Sequence, residues 1–170
     1  MGNEKTPRPP TLDDLKAVIK SLNAKNVDYL LIGGFAVNAQ GLNRTTNDID
    51  FLIKQNKEDG KRIVDALLVL PDKASKDIDL SWFDKGASDD STIRVYDEII
   101  VDLLFNACGQ SYESLKKHEK IIYLDDVPVK TLDIEGLMLT KISYREQDKL
   151  DLQALKFKLE EDIKNKRTNK

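Results

Sequence analysis

The stretch that decides the fold runs Leu31-Ile-Gly-Gly-Phe-Ala36 and continues, after a polar loop, as Arg44-Thr-Thr-Asn-Asp-Ile-Asp-Phe51. An apolar run ends at a glycine pair, and the next run carries two acids at alternate positions. Because residues i and i+2 of a β-strand share a face, Asp48 and Asp50 are predicted to project side by side. Two carboxylates that close repel each other unless a cation lies between them. The pattern therefore predicts a cation site.

A hard divalent cation with oxygen ligands, Mg²⁺ or Mn²⁺, fits this pair, and Mg²⁺ is commonly bound together with a polyphosphate. Gly33 and Gly34 would offer that phosphate backbone N–H groups that no side chain obstructs. The pattern thus indicates metal-assisted handling of a nucleoside triphosphate. A solvated edge strand has the same acid spacing, however, and Asp77-Ile-Asp79 repeats it without a glycine turn. We interpret this second copy as a solvated strand or loop.

A third acid, Asp102, lies in the middle of the apolar run 99–105. Burying an isolated carboxylate is costly, so we expect Asp102 at a polar cleft or beside a cation. The preceding run 91–96 and a turn at Asp97-Glu98 predict an antiparallel hairpin. If this hairpin lies beside the strand of the acid pair, three carboxylates converge on one place. Such a trio can hold two metal ions for an in-line displacement.

The glycine pair, the acid-apolar-acid strand and the later acid resemble, in that order, the signature of the DNA polymerase β-like nucleotidyltransferases. Within that superfamily the chain is more similar to small bacterial abortive-infection-type nucleotidyltransferase toxins. The shared parts are Gly-Gly-aromatic-Ala, Arg-x-Thr-x-Asp-Ile-Asp and Arg-x-x-Asp-x-x-Asp-Leu, the last beginning here at Arg145. Many relatives carry Ser after the glycine pair, where this chain has Phe35. The resemblance covers about residues 27–155.

The resemblance implies transfer of a nucleoside monophosphate from a nucleoside triphosphate to an acceptor hydroxyl, with release of pyrophosphate. The favoured acceptor is RNA, such as the 3′ end of tRNA, and a partner antitoxin protein is implied. A small hydroxylated molecule such as an antibiotic, or a protein, is an alternative acceptor. A catalytically silent nucleotide-binding or interaction protein is a further alternative. The implied metal ligands and catalytic acids are Asp48, Asp50 and Asp102, and the implied nucleotide-binding residues are Gly33, Gly34, Arg44 and Lys141.

Two of these assignments have competing interpretations from the sequence. Lys141 lies in a helix otherwise lined by apolar residues, so it is either a triphosphate contact or a lysine whose charged end reaches the surface. Arg145 and Asp148 are three residues apart on a helix, so they either pair with each other or face the cleft. The sequence leaves both questions open.

Composition limits the class of protein. At 170 residues and 40% hydrophobic, the chain is expected to form one domain with a substantial core. A formal net charge of −3 argues against a broad basic surface for nucleic acid. Cys108 is the single cysteine, which suits a reducing cytoplasm, and together with the single His118 it offers no spacing typical of zinc. No apolar run approaches the roughly 20 residues that cross a membrane.

The order of elements predicts an α/β (α+β) fold, with a mixed β-sheet nucleotidyltransferase core flanked by helices and ending in C-terminal helices. We expect a disordered leader over 1–10, one nucleotidyltransferase domain over 11–162 and a polar tail over 163–170. A capping box at Thr11 predicts the start of the first helix. Further helices are predicted at 34–40, 57–70, about 111–118, about 133–143 and 146–162. Strands are predicted at 27–32, after the loop 41–47 where the acid pair lies, in the two hairpin runs, and at 121–124 and 127–131.

Overall fold

The structure is a computed structural model that describes residues 5–84 and 92–170. In the first half of the described residues, helices and strands alternate. Two hairpins follow, with a short helix between them, and two further helices end the chain. The helices are α1 (Leu12–Ala24), α2 (Gly33–Ala39), α3 (Lys57–Leu67), α4 (Tyr112–Leu115), α5 (Ile134–Leu139) and α6 (Glu146–Thr168). The strands are β1 (Tyr29–Ile32), β2 (Asp48–Ile53), β3 (Thr92–Tyr96), β4 (Ile100–Leu104), β5 (Glu119–Leu124) and β6 (Val127–Leu132).

The six strands form one mixed sheet in the order β3-β4-β2-β1-β6-β5. Strands β2 and β4 run parallel, as do β1 and β6, and the other neighbours are antiparallel. The two hairpins, β3–β4 and β5–β6, give the antiparallel edges, whereas helix α3 provides the longer connection that a parallel neighbour requires. The predicted fold class, a mixed sheet flanked by helices, is confirmed.

Helix α1 begins where the capping box predicts. The Thr11 hydroxyl accepts the backbone N–H of Asp14, and the Asp14 carboxylate accepts the backbone N–H of Thr11, which satisfies groups left free at a helix start. Four apolar residues three or four positions apart face the core from this helix. They are Leu15, Val18, Ile19 and Leu22.

The core lies against the central strands, where β1 is buried along its whole length. The rings of Tyr29 and Phe51 meet edge to face across β1 and β2, with centroids 5.4 Å apart. Phe83 is fully buried against Phe105, whereas its neighbour Trp82 is half exposed.

Several element bounds differ from the prediction. Helix α3 ends at Leu67, with a turn before Pro71, and α4 is a single turn followed by a 3₁₀ turn. The sequence places the end of the last helix at residue 162, but α6 continues to Thr168 through an exposed, charged segment. Charged side chains are good helix formers, so no residue before Thr168 gives a strong stop signal. The second Asp-Ile-Asp copy, predicted to be a solvated strand or loop, is a surface loop segment that joins two 3₁₀ turns.

The predicted leader and the hairpin start lie partly beyond the described residues. Residues 1–4 and 85–91, including Ser91 of the predicted hairpin, fall outside them. Within the leader, Arg8 forms ion pairs with Asp14 and Glu98, and its backbone N–H donates to the Glu98 carbonyl. This part of the leader therefore contacts both helix α1 and the β3–β4 turn. No helix within the described ranges combines the length and apolarity needed to cross a membrane.

Candidate metal and nucleotide site

Strand β2 places the acid pair on one face, as strand parity predicts. Asp48 and Asp50 are partly buried and line the same cavity, while Ile49 between them is fully buried on the opposite face of the sheet. Strand β2 lies between β1 and β4, so its backbone is fixed by hydrogen bonds on both sides. The pair is therefore held on a rigid part of the sheet.

Strand β4 brings the third acid beside the pair. In the parallel register of β2 and β4, Asp102 lies directly opposite Asp50, and its side chain points to the same face. Oxygen atoms of Asp48, Asp50 and Asp102 lie within 4.8 Å of one another. In the part of the chain that the structure describes, this is the one cluster of three or more His, Cys, Asp or Glu side chains near enough to share an ion.

The glycine pair lies at the junction of β1 and α2 and is fixed there by close packing. Gly33 has φ +71°, and a β-carbon on it would lie 2.0 Å from Oδ2 of Asp50. A β-carbon on Gly34 would lie 2.3 Å from Nη1 of Arg44 and 2.7 Å from Cβ of Thr46. Only glycine lets the backbone come this close to the acids and to the loop before β2. The first turn of α2 therefore forms one edge of the site.

Burial and mutual repulsion disfavour the charged form of the acid pair. Burial, followed by the charges of Asp48 and Asp102, raises the pKa of Asp50 to about 8, although Lys141 acts in the opposite direction. Burial and Asp102 also raise the pKa of Asp48, against the opposing effect of Arg94. Without a cation the site therefore retains a proton near neutral pH, and a divalent cation would be expected to displace that proton.

Arg94 is a site residue that the sequence patterns do not identify. Its Nε and Nη2 donate to Oδ1 and Oδ2 of Asp102, each at 2.8 Å, and Nη2 lies 3.6 Å from Oδ2 of Asp48. A two-residue turn at Asp97-Glu98 would place Arg94 opposite Val101. The observed turn also includes Ile99, so Arg94 pairs with Asp102 in the ladder. A one-residue change in the turn thus decides which residue faces the acid.

Arg44 and Lys141 reach the site from two other elements and share a buried partner on α6. Nε of Arg44 lies 3.0 Å from Oδ1 of Asp151, and Nζ of Lys141 lies 2.9 Å from Oδ2 of the same carboxylate. Lys141 is also 3.5 Å from Asp148, which accepts a hydrogen bond from Ser143. Lys141 is 5% exposed, so its charged end lies inside the protein rather than at the surface.

The acids of the Arg-x-x-Asp-x-x-Asp-Leu segment thus neutralise two cations of the site. Asp148 pairs with Lys141 rather than with Arg145, and Arg145 is exposed and lines the cavity. The loop that carries Arg44 is fixed by Asn38, whose amide exchanges two hydrogen bonds with the Arg44 backbone. The helical spacing of the two acids is visible in the sequence, but their partners are not.

Together these side chains surround a cavity of about 510 Å³. All seven predicted site residues line this cavity, and Arg94, Arg145 and Asp148, which are not among those seven, line it too. Phe35, directly after the glycine pair, is 7% exposed and belongs to the hydrophobic core. Cys108 also borders the cavity, and its thiol lies 3.1 Å from the Thr140 carbonyl. His118 lies elsewhere, 3.0 Å from Asp133, so the structure gives the cysteine and the histidine no shared site.

Comparison with protein-family profiles and with curated proteins found no match for this chain. The resemblance to nucleotidyltransferases therefore depends on the order of its motifs and on the chemistry of the cavity.

Proposed function

We propose that the chain is a metal-dependent nucleotidyltransferase of the DNA polymerase β-like kind. It would transfer a nucleoside monophosphate from a nucleoside triphosphate to an acceptor hydroxyl and release pyrophosphate. One observation carries the proposal: the carboxylates of Asp48, Asp50 and Asp102 cluster within 4.8 Å beside the Gly33–Gly34 turn, in one cavity. The same three acids and two glycines are those that the motif order selects from the sequence.

The donor set fits Mg²⁺ or Mn²⁺. Hard divalent cations favour carboxylate oxygens, and three acids from two adjacent strands supply such oxygens without nitrogen or sulfur ligands. The raised pKa of Asp50 is also what burial and neighbouring acids produce when no metal ion lies among them. A divalent cation held by these acids would neutralise the triphosphate and lower the pKa of an acceptor hydroxyl.

The chain's own residues would orient the reactants around that site. Asp48 and Asp50 would hold the cation on the side of the cavity where the triphosphate binds. The backbone N–H groups of the first turn of α2 lie next to them and suit phosphate oxygens. Asp102 lies across from Asp50 and would help to hold the acceptor hydroxyl and favour loss of its proton. Most of the rate gain would come from positioning and from charge neutralisation.

Arg44 and Lys141 would provide hydrogen-bond donors in the wall of the nucleotide site, where Asp148 and Asp151 balance their charges. Each is already paired with Asp151, which restricts the rotamers of both side chains. Lys141 is 5% exposed and lies between two carboxylates, so its ammonium group has a fixed position in the cavity wall. We propose that this wall orients the triphosphate rather than ligating the metal.

The acceptor we favour is RNA, on the ground of the resemblance to toxin-like relatives. The net charge of −3 permits an RNA acceptor that contacts the cleft locally, without a broad basic surface. A small hydroxylated molecule or a protein side chain would use the same chemistry. An antitoxin partner belongs to the same proposal.

Label transfer tests the function. The protein is incubated with each labelled nucleoside triphosphate and Mg²⁺, with total RNA, with a panel of small hydroxylated molecules or alone. We expect label in RNA and a fall of at least ~10²-fold in the Asp102→Asn variant, which keeps the shape and loses the charge. Asp97→Asn is the control, because Asp97 is equally buried on the same hairpin but accepts backbone N–H groups away from the cavity.

The outcomes separate the alternatives. Label in a small molecule or in the protein itself would keep the chemistry and change the acceptor. A parent protein that binds nucleotide but labels nothing in the panel would favour the silent binder. Equal rates for Asp102→Asn and the parent would make Asp102 a purely structural acid.

A further inference from the structure

Arg94 occupies the side of the acid cluster that faces the solvent. It lies on β3, the edge strand of the sheet, and its side chain is 45% exposed, while that of Asp102 is 5% exposed. Its guanidinium lines the cavity, pairs with the Asp102 carboxylate and also approaches Asp48. An exposed arginine can leave such a position with little disturbance to the core, whereas Asp102 cannot.

The contact uses both oxygens of Asp102. A bidentate arginine–carboxylate pair is among the stronger pairings of side chains, because two parallel hydrogen bonds are charge-assisted. With Nε on Oδ1 and Nη2 on Oδ2, each at 2.8 Å, a cation that approaches from the cavity competes with Arg94 for the same carboxylate. Arg94 and a divalent cation are therefore alternative partners of Asp102.

The two cations of the cavity that are more buried than Arg94 already have partners of their own. Lys141 pairs with Asp148 and Asp151, and Arg44 also pairs with Asp151. Among the described ion pairs, the one cation that contacts the acid cluster is Arg94, through Asp48 and Asp102. Arg94 therefore supplies the acid cluster with the positive charge that a metal ion would otherwise supply.

The neighbouring side chain packs against the guanidinium in the position where it pairs with Asp102. Tyr96 is two residues away on the same face of β3, and its ring centroid is 6.0 Å from Cζ of Arg94. A cation over an aromatic ring is stabilised even when exposed.

We propose that Arg94 is a displaceable counter-ion, which balances the acid cluster before a divalent cation binds and then pairs with the phosphates of the nucleotide. This inference rests on the proposed function. Binding of metal and binding of triphosphate are thereby coupled through one side chain. Arg94 is a positioning residue for Asp102 in the first state and a phosphate contact in the second.

The test measures Mn²⁺ binding by calorimetry, with no nucleotide present, in the parent, Arg94→Gln and Arg94→Lys. Arg62→Gln is the control, because Arg62 is 44% exposed and pairs with Asp59, a 4% exposed carboxylate on α3 away from the cavity. A second titration measures binding of inorganic tripolyphosphate at saturating Mg²⁺, which avoids any choice of base. Thermal unfolding of each variant with and without Mn²⁺ gives a third measurement.

We expect Arg94→Gln to bind Mn²⁺ about 5- to 10-fold more tightly than the parent does. It should bind tripolyphosphate about 5- to 10-fold more weakly, and both changes lie in the range typical of coupled sites. Mn²⁺ should also raise its Tm by more than it raises that of the parent. Arg94→Lys, which keeps the charge but loses the fork, should bind Mn²⁺ with intermediate affinity. Arg62→Gln should match the parent in both titrations.

A parent that binds Mn²⁺ and an Arg94→Gln variant that binds it no more tightly would overturn the inference and leave the proposed function in place. If Arg94→Gln does not fold, the test depends on Arg94→Lys. Equal Mn²⁺ affinities of Arg94→Lys and the parent would then overturn the inference in the same way. If neither parent nor variants bind Mn²⁺, the metal site of the proposed function fails and the inference fails with it.

Discussion

The chain contains the sequence Asp-Ile-Asp twice, and the two copies have different structures. Asp48-Ile-Asp50 forms the start of a central strand, with both acids in a cavity and the isoleucine fully buried. Asp77-Ile-Asp79 joins two 3₁₀ turns at the surface, where both acids are exposed and Asp79 accepts the backbone N–H of Ser81. The spacing of acids therefore does not make a site. The neighbours across the sheet, Asp102 and the glycine turn, make it.

The largest expected difference between the copies is in transfer rate. Asp50→Asn removes a charge from the acid cluster, so label transfer should fall by at least ~10²-fold, the scale for losing a charge-stabilising group. Asp77→Asn makes the same chemical change in the surface copy and should leave the rate within about twofold, as expected away from a reacting centre. Rates of label transfer under identical conditions measure both. A similar loss in the two variants would remove the distinction.

The pH dependence of stability should have opposite signs in the two copies. The pKa of Asp50 is raised to about 8 in the folded protein, from an ordinary value of 3.8, so the folded state binds the extra proton. Its contribution to the free energy of unfolding, present below about pH 4, is therefore lost as the pH rises toward 8. The backbone N–H of Ser81 lowers the pKa of Asp79, whose contribution is present above its ordinary pKa and lost on acidification.

Urea unfolding in EDTA at several pH values tests this contrast. The loss attributed to Asp50 should appear as a fall in the free energy of unfolding between about pH 4 and pH 8. Asp50→Asn should be more stable than the parent at pH 8 and closer to it at pH 5. A difference between parent and variant that does not change with pH would show that Asp50 ionises normally.

Gly33→Ala tests the glycine turn, which is present beside Asp48-Ile-Asp50 and absent from the second Asp-Ile-Asp copy. The added β-carbon would lie 2.0 Å from Asp50 at φ +71°, so it combines backbone strain of ~1–3 kcal/mol with overpacking of similar size. Gly41→Ala is the matched control, because Gly41 has φ +87° and nothing within 4 Å of an added β-carbon. Urea unfolding should show a greater loss for Gly33→Ala. Equal losses would mean that strain alone requires glycine at both positions.

The sequence is sufficient to predict those parts of the fold that depend on local chemistry. The capping box at Thr11, the parity of Asp48 and Asp50 and the hairpin around Asp97 follow from spacing and turn residues, and all three are confirmed. The glycine pair is also visible, although its close packing against Asp50 depends on the distance between two strands.

The remaining features depend on register and on contacts between distant elements. Arg94 faces Asp102 because the turn includes Ile99, a choice that residue preferences do not decide. The pairing of Lys141 with Asp151 needs the packing of α5 on α6, which no spacing specifies. The continuation of α6 to Thr168 involves an exposed segment, so the hydrophobic pattern does not indicate where it ends.

The most direct test of the central claim is thermal unfolding with a nucleoside triphosphate, in Mg²⁺ and in EDTA. If Asp48, Asp50 and Asp102 hold a divalent cation that screens the triphosphate, nucleotide should raise the Tm in Mg²⁺ and not in EDTA. Asp50→Asn should reduce that rise, and Asp77→Asn should preserve it. An equal rise in Mg²⁺ and in EDTA, or no rise in either, would contradict the account.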